Sequence, residues 1–140
     1  MKKILFLLVA LLALSSCGTP KYMENSYTLN LKEFTGDDFT INPTSVANGE
    51  FEPLGIVEEY FYFGNKVDKE HKTRVDEVKD KYMQVSIFKP TQNRMFEKII
   101  SNAKEIGANG IIEFKMVDLF DKNMRHNGYK LSGVAVKYKK

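Results

Sequence analysis

Cysteine occurs once in the 140 residues, at position 17, and histidine only twice, at positions 71 and 126. One thiol excludes an intrachain disulfide framework and any zinc site built from cysteines alone. The longest apolar run, Ile4 to Leu14, has eleven residues, whereas a membrane-crossing helix needs roughly 20. A strong excess of one charge is also missing. Setting aside Lys2 and Lys3, which sit in a removable leader, leaves 19 Lys and Arg against 18 Asp and Glu, and nucleic-acid binders show a strongly basic face instead. There is no G-x-S-x-G elbow, since Ser132 stands in Lys-Leu-Ser-Gly-Val, and no phosphate-binding or dinucleotide glycine loop. What remains is enough apolar material for one packed domain: 43% of the residues are hydrophobic and 12% of all residues are aromatic.

The first residues have the build of an export signal. Lys2 and Lys3 give a positive start, Ile4 to Leu14 an apolar centre, and Ser15 and Ser16 a small-residue exit. Leu14-Ser15-Ser16-Cys17 resembles the lipobox of bacterial lipoproteins. That resemblance implies cleavage between Ser16 and Cys17 and attachment of diacylglycerol to the Cys17 sulfur. Residues 1–16 are then a signal peptide, and Cys17 is the first residue of the mature protein. An ordinary secretory leader with an incidental cysteine is the alternative, and a catalytic or metal-binding thiol a further one. Several acyl chains at about 0.8 kcal/mol per buried CH₂ hold a protein far more firmly than one chain does. Gly18, rather than an aspartate, follows the cysteine, which by the same resemblance favours the outer membrane.

Residues 17–50 read as a lipid-anchored tether and preamble with turn signals at Asn42-Pro43 and Asn48-Gly49. Within them, Tyr27 to Leu31 and Phe39 to Ile41 are candidates for short edge strands. From Leu54 to Phe63 the chain is apolar on both alternating faces, the pattern of a strand covered on both sides, interrupted by Glu58 and Glu59. Adjacent strand residues face opposite ways, so one acid turns inward or lies at a bulge. The expectation is that one is solvated while the other meets a lysine or a subunit contact; a buried acid or ligand site is the functional alternative. Lys66 to Lys81 carries six Lys or Arg, five Asp or Glu and His71 in 16 residues. It predicts a solvent-facing loop, hairpin extension or short helix, with Glu70/Arg74 and Glu77/Lys81 at helical spacing, and it is a candidate docking surface for an envelope partner.

Strand alternation resumes over Tyr82 to Phe88 and stops at Pro90. Thr91 or Asn93 then caps a helix whose Met95, Phe96, Ile99, Ile100, Ala103 and Ile106 form one stripe, with Gly107 just past its end. Gly110 to Val117 predicts a strand with Ile112, Phe114 and Met116 on one side. Asp118 to Asn127 reads as a polar connection turning at Asn127-Gly128, and Tyr129 to Tyr138 as the last strand, where Gly133 marks a bulge or close backbone approach. The fold class is therefore α+β, one principal helix on a mainly antiparallel sheet.

Three phrases, Phe51-Glu52-Pro53-Leu54-Gly55-Ile56-Val57, Ala103 to Ile112 and Leu131 to Lys137, resemble the successive signatures of the YbjQ-like family, named heavy-metal-binding in many genomes. The resemblance covers residues 51–140 and implies an α+β domain that assembles into rings, typically pentamers, through sheet edges. The metal label finds thin support in the residues. His71 and His126 are the candidate ligands, with oxygens from Glu70, Asp118 and Asp121, yet no spacing aims two of them at one ion. A ring gathering one histidine per subunit is the strongest form of that reading. The sequence therefore predicts a lipid-anchored envelope protein, non-enzymatic, without cofactor or nucleic-acid partner, acting in binding or assembly. The alternatives are a binder of metal or small molecules between subunits, and an envelope hydrolase using Glu58 and Glu59.

Overall fold

Among the described residues, six strands and one α-helix follow in the order expected of an α+β chain. The computed structural model describes residues 28–36, 38–45, 49–79, 85–123 and 125–139; the leader with Ser16 and Cys17 lies outside them. The strands are β1 (Thr40–Ile41), β2 (Phe51–Tyr62), β3 (Val75–Lys79), β4 (Ser86–Pro90), β5 (Gly110–Phe120) and β6 (His126–Tyr138), with helix α1 (Gln92–Glu105) between β4 and β5. A four-stranded sheet runs β1-β5-β6-β2, and β3 pairs with β4 in a separate two-stranded sheet. Only β1 against β5 is parallel, so the sheet is mixed and mostly antiparallel.

Helix α1 forms where its punctuation demands. Thr91, in extended conformation, accepts a hydrogen bond from the Arg94 amide at 3.2 Å, satisfying one of the orphan donors of the first turn. Gly107 has φ +86°, the left-handed geometry that ends helices cheaply only for glycine. The stripe between them buries Met95, Phe96, Ile99 and Ala103 against Val57, Ile111, Phe114, Leu131 and Ala135 of the sheet. A fully buried side chain of this kind contributes roughly 1.5–3 kcal/mol.

Residues ahead of β2 are part of this core and not only spacer. Phe39 and Ile41 are each 5% exposed, and Phe34 stacks on Phe96 with ring centroids 4.0 Å apart. The strand expected over Tyr27 to Leu31 is not found among its described residues; Leu31–Phe34 is instead a 3₁₀ turn, started by the Asn30 side chain accepting from the Lys32 amide. That turn is what swings Phe34 onto the helix. The second candidate, Phe39 to Ile41, does supply β1.

Two further expectations are corrected by local geometry. In β5, Ile111 rather than Ile112 shares the core with Phe114, because the register shifts between Ile112 and Lys115 and Glu113 takes φ +53°. The bulge adds one residue and so reverses the facing of everything before it. Asn127-Gly128 is not a turn but lies inside β6; the reversal comes earlier, where Asp121 accepts from the amides of Asn123 (2.8 Å) and Arg125 (2.9 Å). Of the alternatives for the charged segment, the hairpin holds over Glu77 and its neighbours, which form β3, since Val75 and Val78 pair across from Pro90 and Ile87. Met83 and its neighbours in 80–84 lie outside the described residues.

Gly133 sits opposite the bulge, where a Cβ would overlap Ile111 Cγ2 and stand 3.0 Å from the Ile112 carbonyl oxygen. Gly133→Ala should therefore cost about 1–3 kcal/mol, seen as a lower urea midpoint at unchanged slope for the full-length protein in neutral detergent. By contrast, Glu113→Gly should leave stability unchanged or raise it by up to ~1 kcal/mol, because glycine removes the left-handed strain. An unshifted midpoint for Gly133→Ala would contradict the close approach.

Candidate functional site

Helix α1 covers one face of the sheet; the other face is exposed along β2 and the far half of β5, while Ile112 and Val136 on it are buried. Cross-strand register aligns rows of side chains on that outer face: Ile112, Val134 and Ile56; Lys115, Ser132 and Glu58; Val117, Lys130 and Tyr60; Leu119, Gly128 and Tyr62. Ile56 is 75% exposed, Tyr62 66%, Val117 50% and Tyr60 47%. The expectation that β2 is covered on both sides thus fails for its outer face.

In the middle of this face, Lys130 Nζ lies 2.6 Å from Glu58 Oε1 and 5.3 Å from the centre of the Tyr60 ring. The Tyr60 hydroxyl donates to Glu58 Oε2 at 3.1 Å. The Lys130 hydrogen bond holds the Glu58 carboxyl below its usual range, with help from Tyr60, and the Glu58 bond in turn raises Lys130. Glu59 points the other way. Its carboxylate accepts from the Asn102 side chain on α1, and Asn102 accepts from Lys98 at 3.1 Å. One acid meets a lysine and the other turns inward to the helix. The two carboxylates are on opposite faces, so they cannot act together on one substrate atom.

The histidines occupy separate settings. His71 Nδ1 lies 2.6 Å from Asp68 Oδ1, and the same oxygen accepts the His71 amide at 2.9 Å; these bonds hold the Asp68 carboxyl below the ordinary carboxylate range. His126 is ringed by Phe63, Tyr129 and Phe120, with centroids at 4.8, 4.9 and 5.7 Å. Its Nε2 is 2.8 Å from the Gly128 carbonyl oxygen and 3.3 Å from Asp118 Oδ1. A carbonyl only accepts, so Nε2 is the donor in this contact. Asp121 is spent on its turn, the Arg125 amide bond lowering its carboxyl first. Among the described residues no three His, Cys, Asp or Glu side chains gather as a cation site would require.

A cleft of about 360 Å³ lies where the end of β2, the charged segment, β4 and the start of α1 meet. Residues 66–75, expected to project into solvent, form one wall of it; the isolated bridge between Gly64 and Phe88 brings that wall to β4. Arg94, also lining it, carried no sequence motif. Its signal was a basic residue in the first turn of a helix that has no acid there, against the usual dipole preference.

The family model of the prokaryotic membrane lipoprotein lipid attachment site matches residues 1–17, ending on Cys17. The chain is thus a lipid-anchored protein of the cell envelope. Among the described residues no helix is long and apolar enough to cross a membrane. No curated protein matches the chain. Among solved structures it is similar to a protein of unknown function of the DUF74 family from Pediococcus pentosaceus ATCC 25745, with 15% identity and a TM-score of 0.42, over 72% of this chain and 98% of that one.

The sign of the Glu58–Lys130 coupling sets its pH window. Glu58 is lowered, so its contribution is present above the ordinary carboxylate range and lost as pH falls through the folded value. Lys130 is raised, so its contribution is present below the ordinary lysine range and lost as pH rises through the folded value. Lys130→Met should move the Glu58 carboxyl titration, followed by ¹³C NMR, upward toward that of a free glutamate. A Glu58 titration indifferent to the substitution would show that the pair does not form in solution.

Proposed function

We propose that this lipid-anchored envelope protein is a non-enzymatic assembly module that pairs with further copies of itself through the free edge of β2. The carrying observation is that edge. β2 is 12 residues long, is hydrogen-bonded only to β6 within the four-stranded sheet, and borders the exposed outer face through Ile56. An edge with no strand partner among the described residues is a template for another strand, and its main-chain donors and acceptors are satisfied by an identical edge as readily as by any other. The lipid anchor supports the same occupant, because copies held on one membrane surface meet at raised effective concentration. The resemblance to the YbjQ-like family implies a closed ring, typically a pentamer, and Gly18 favours the outer membrane as the place where it forms. In this reading the acyl chains sit on Cys17 after cleavage behind Ser16.

The full-length lipidated protein should appear in native mass spectrometry from detergent as a closed oligomer. Ile56→Lys should return it to monomers without lowering its melting temperature by more than a few degrees, since Ile56 is exposed within one chain. A wild-type monomer at every concentration would sink the assembly reading.

The anchor is tested separately. Cys17→Ala should take up no labelled fatty acid and should accumulate as an uncleaved precursor in the inner membrane. Mature, membrane-bound Cys17→Ala protein would place the attachment elsewhere.

A further inference from the structure

We propose that the cleft between the end of β2, the 66–75 segment, β4 and the start of α1 binds a small soluble organic oxyanion, a carboxylate or phosphate monoester carrying a flat apolar body. Three cationic side chains line it, Lys66, Arg74 and Arg94, against one carboxylate, Asp68. That carboxylate is already engaged by the ring and the amide of His71. Neither guanidinium has an ion-pair partner among the described residues. The two arginines come from different elements, a 3₁₀ turn (Lys72–Arg74) and the first turn of α1, so the fold converges two unneutralised planar donors on one space. Guanidinium forks match carboxylate and phosphate oxygens in a bidentate manner, which a surface lysine does not reproduce.

The rest of the lining sets what the oxyanion is attached to. Tyr62, Val67, Val75 and Phe88 give the cleft an apolar floor and walls. A bare inorganic ion would leave that surface unused, whereas an aromatic or similarly flat group covers it. At about 360 Å³ the space is at the low end for ligand pockets, suited to a single ring with its acidic group and not to a nucleotide or an oligosaccharide. No residue of a second copy is needed to complete the cleft, because all of these residues belong to one chain.

Calorimetry on the full-length protein in neutral detergent tests it with four probes: phenyl phosphate, benzoate, inorganic phosphate and benzyl alcohol. At least one aryl anion should bind saturably with one site per chain. Inorganic phosphate should bind at least tenfold more weakly, and neutral benzyl alcohol should give no saturable heat. The comparison of phenyl phosphate with benzoate assigns the acidic group. Arg74→Gln and Arg94→Gln should each weaken the better aryl anion at least tenfold. Arg74 is exposed, so its variant keeps the fold if Arg94→Gln, closer to the helix cap, does not. The absence of saturable binding by either aryl anion overturns the proposal, as does undiminished binding by folded Arg74→Gln protein.

Discussion

The seating of α1 on one face of the sheet, with Phe96 at its centre, is the contact on which everything else rests. Phe96 is fully buried, stacks on Phe34 from the N-terminal segment and lies 5.2 Å from the Phe114 ring of β5. It therefore joins three stretches of chain far apart in sequence. A single helix of 14 residues can shield only one face of a four-stranded sheet, and that geometric shortage decides the character of the other face. Exposed Ile56, Tyr62 and Val117 are the consequence of having one helix where two-sided α/β folds have several.

The elements that could be read from the sequence were those governed by short-range rules. Thr91, the apolar stripe and Gly107 specify α1 without reference to the rest of the chain, and the close approach expected at Gly133 follows from a glycine inside an otherwise β-branched and apolar strand. The misses share a different cause. Nothing local to Glu113 announces that it takes a left-handed conformation, because the bulge is imposed by the pairing of β5 with β6 on one side and by the Glu113 amide donating to the Thr44 carbonyl on the other. The face assignment of Ile111 and Ile112 hung on that one residue. The turn at Asp121 displaced the more familiar Asn-Gly signal because the Asp121 carboxylate satisfies two amides at once, an advantage visible only once β5 is known to extend to Phe120.

The charged segment illustrates the same limit at the level of the site. Its composition fits an exposed surface, and most of it is exposed. Yet Val75 and Val78 pair with β4, and the Gly64–Phe88 bridge brings that wall to the end of β2. A cleft made from four separate elements leaves no contiguous motif. Only the unfavourable placement of Arg94 at a helix start hinted that its charge answers to something other than helix stability.

The free edge of β2 is also not uniform along its length, and this bears on how a second copy would meet it. Its first residues include Glu52 and Pro53, and the ladder to β6 shifts register between Pro53 and Gly55; proline, charge and a bulge are the devices by which proteins blunt an edge. From Ile56 onward the register is unbroken to Tyr62, and on that stretch the outward side chains are Ile56, Tyr60 and Tyr62, with Glu58 neutralised by Lys130. The charge that would otherwise repel an identical edge is thus already paired within the chain. An edge guarded at one end and left regular, apolar and internally neutralised at the other would direct the proposed self-pairing to the stretch after the register shift, with the neighbouring cleft, which takes Tyr60 and Tyr62 as part of its lining, at the rim of that contact.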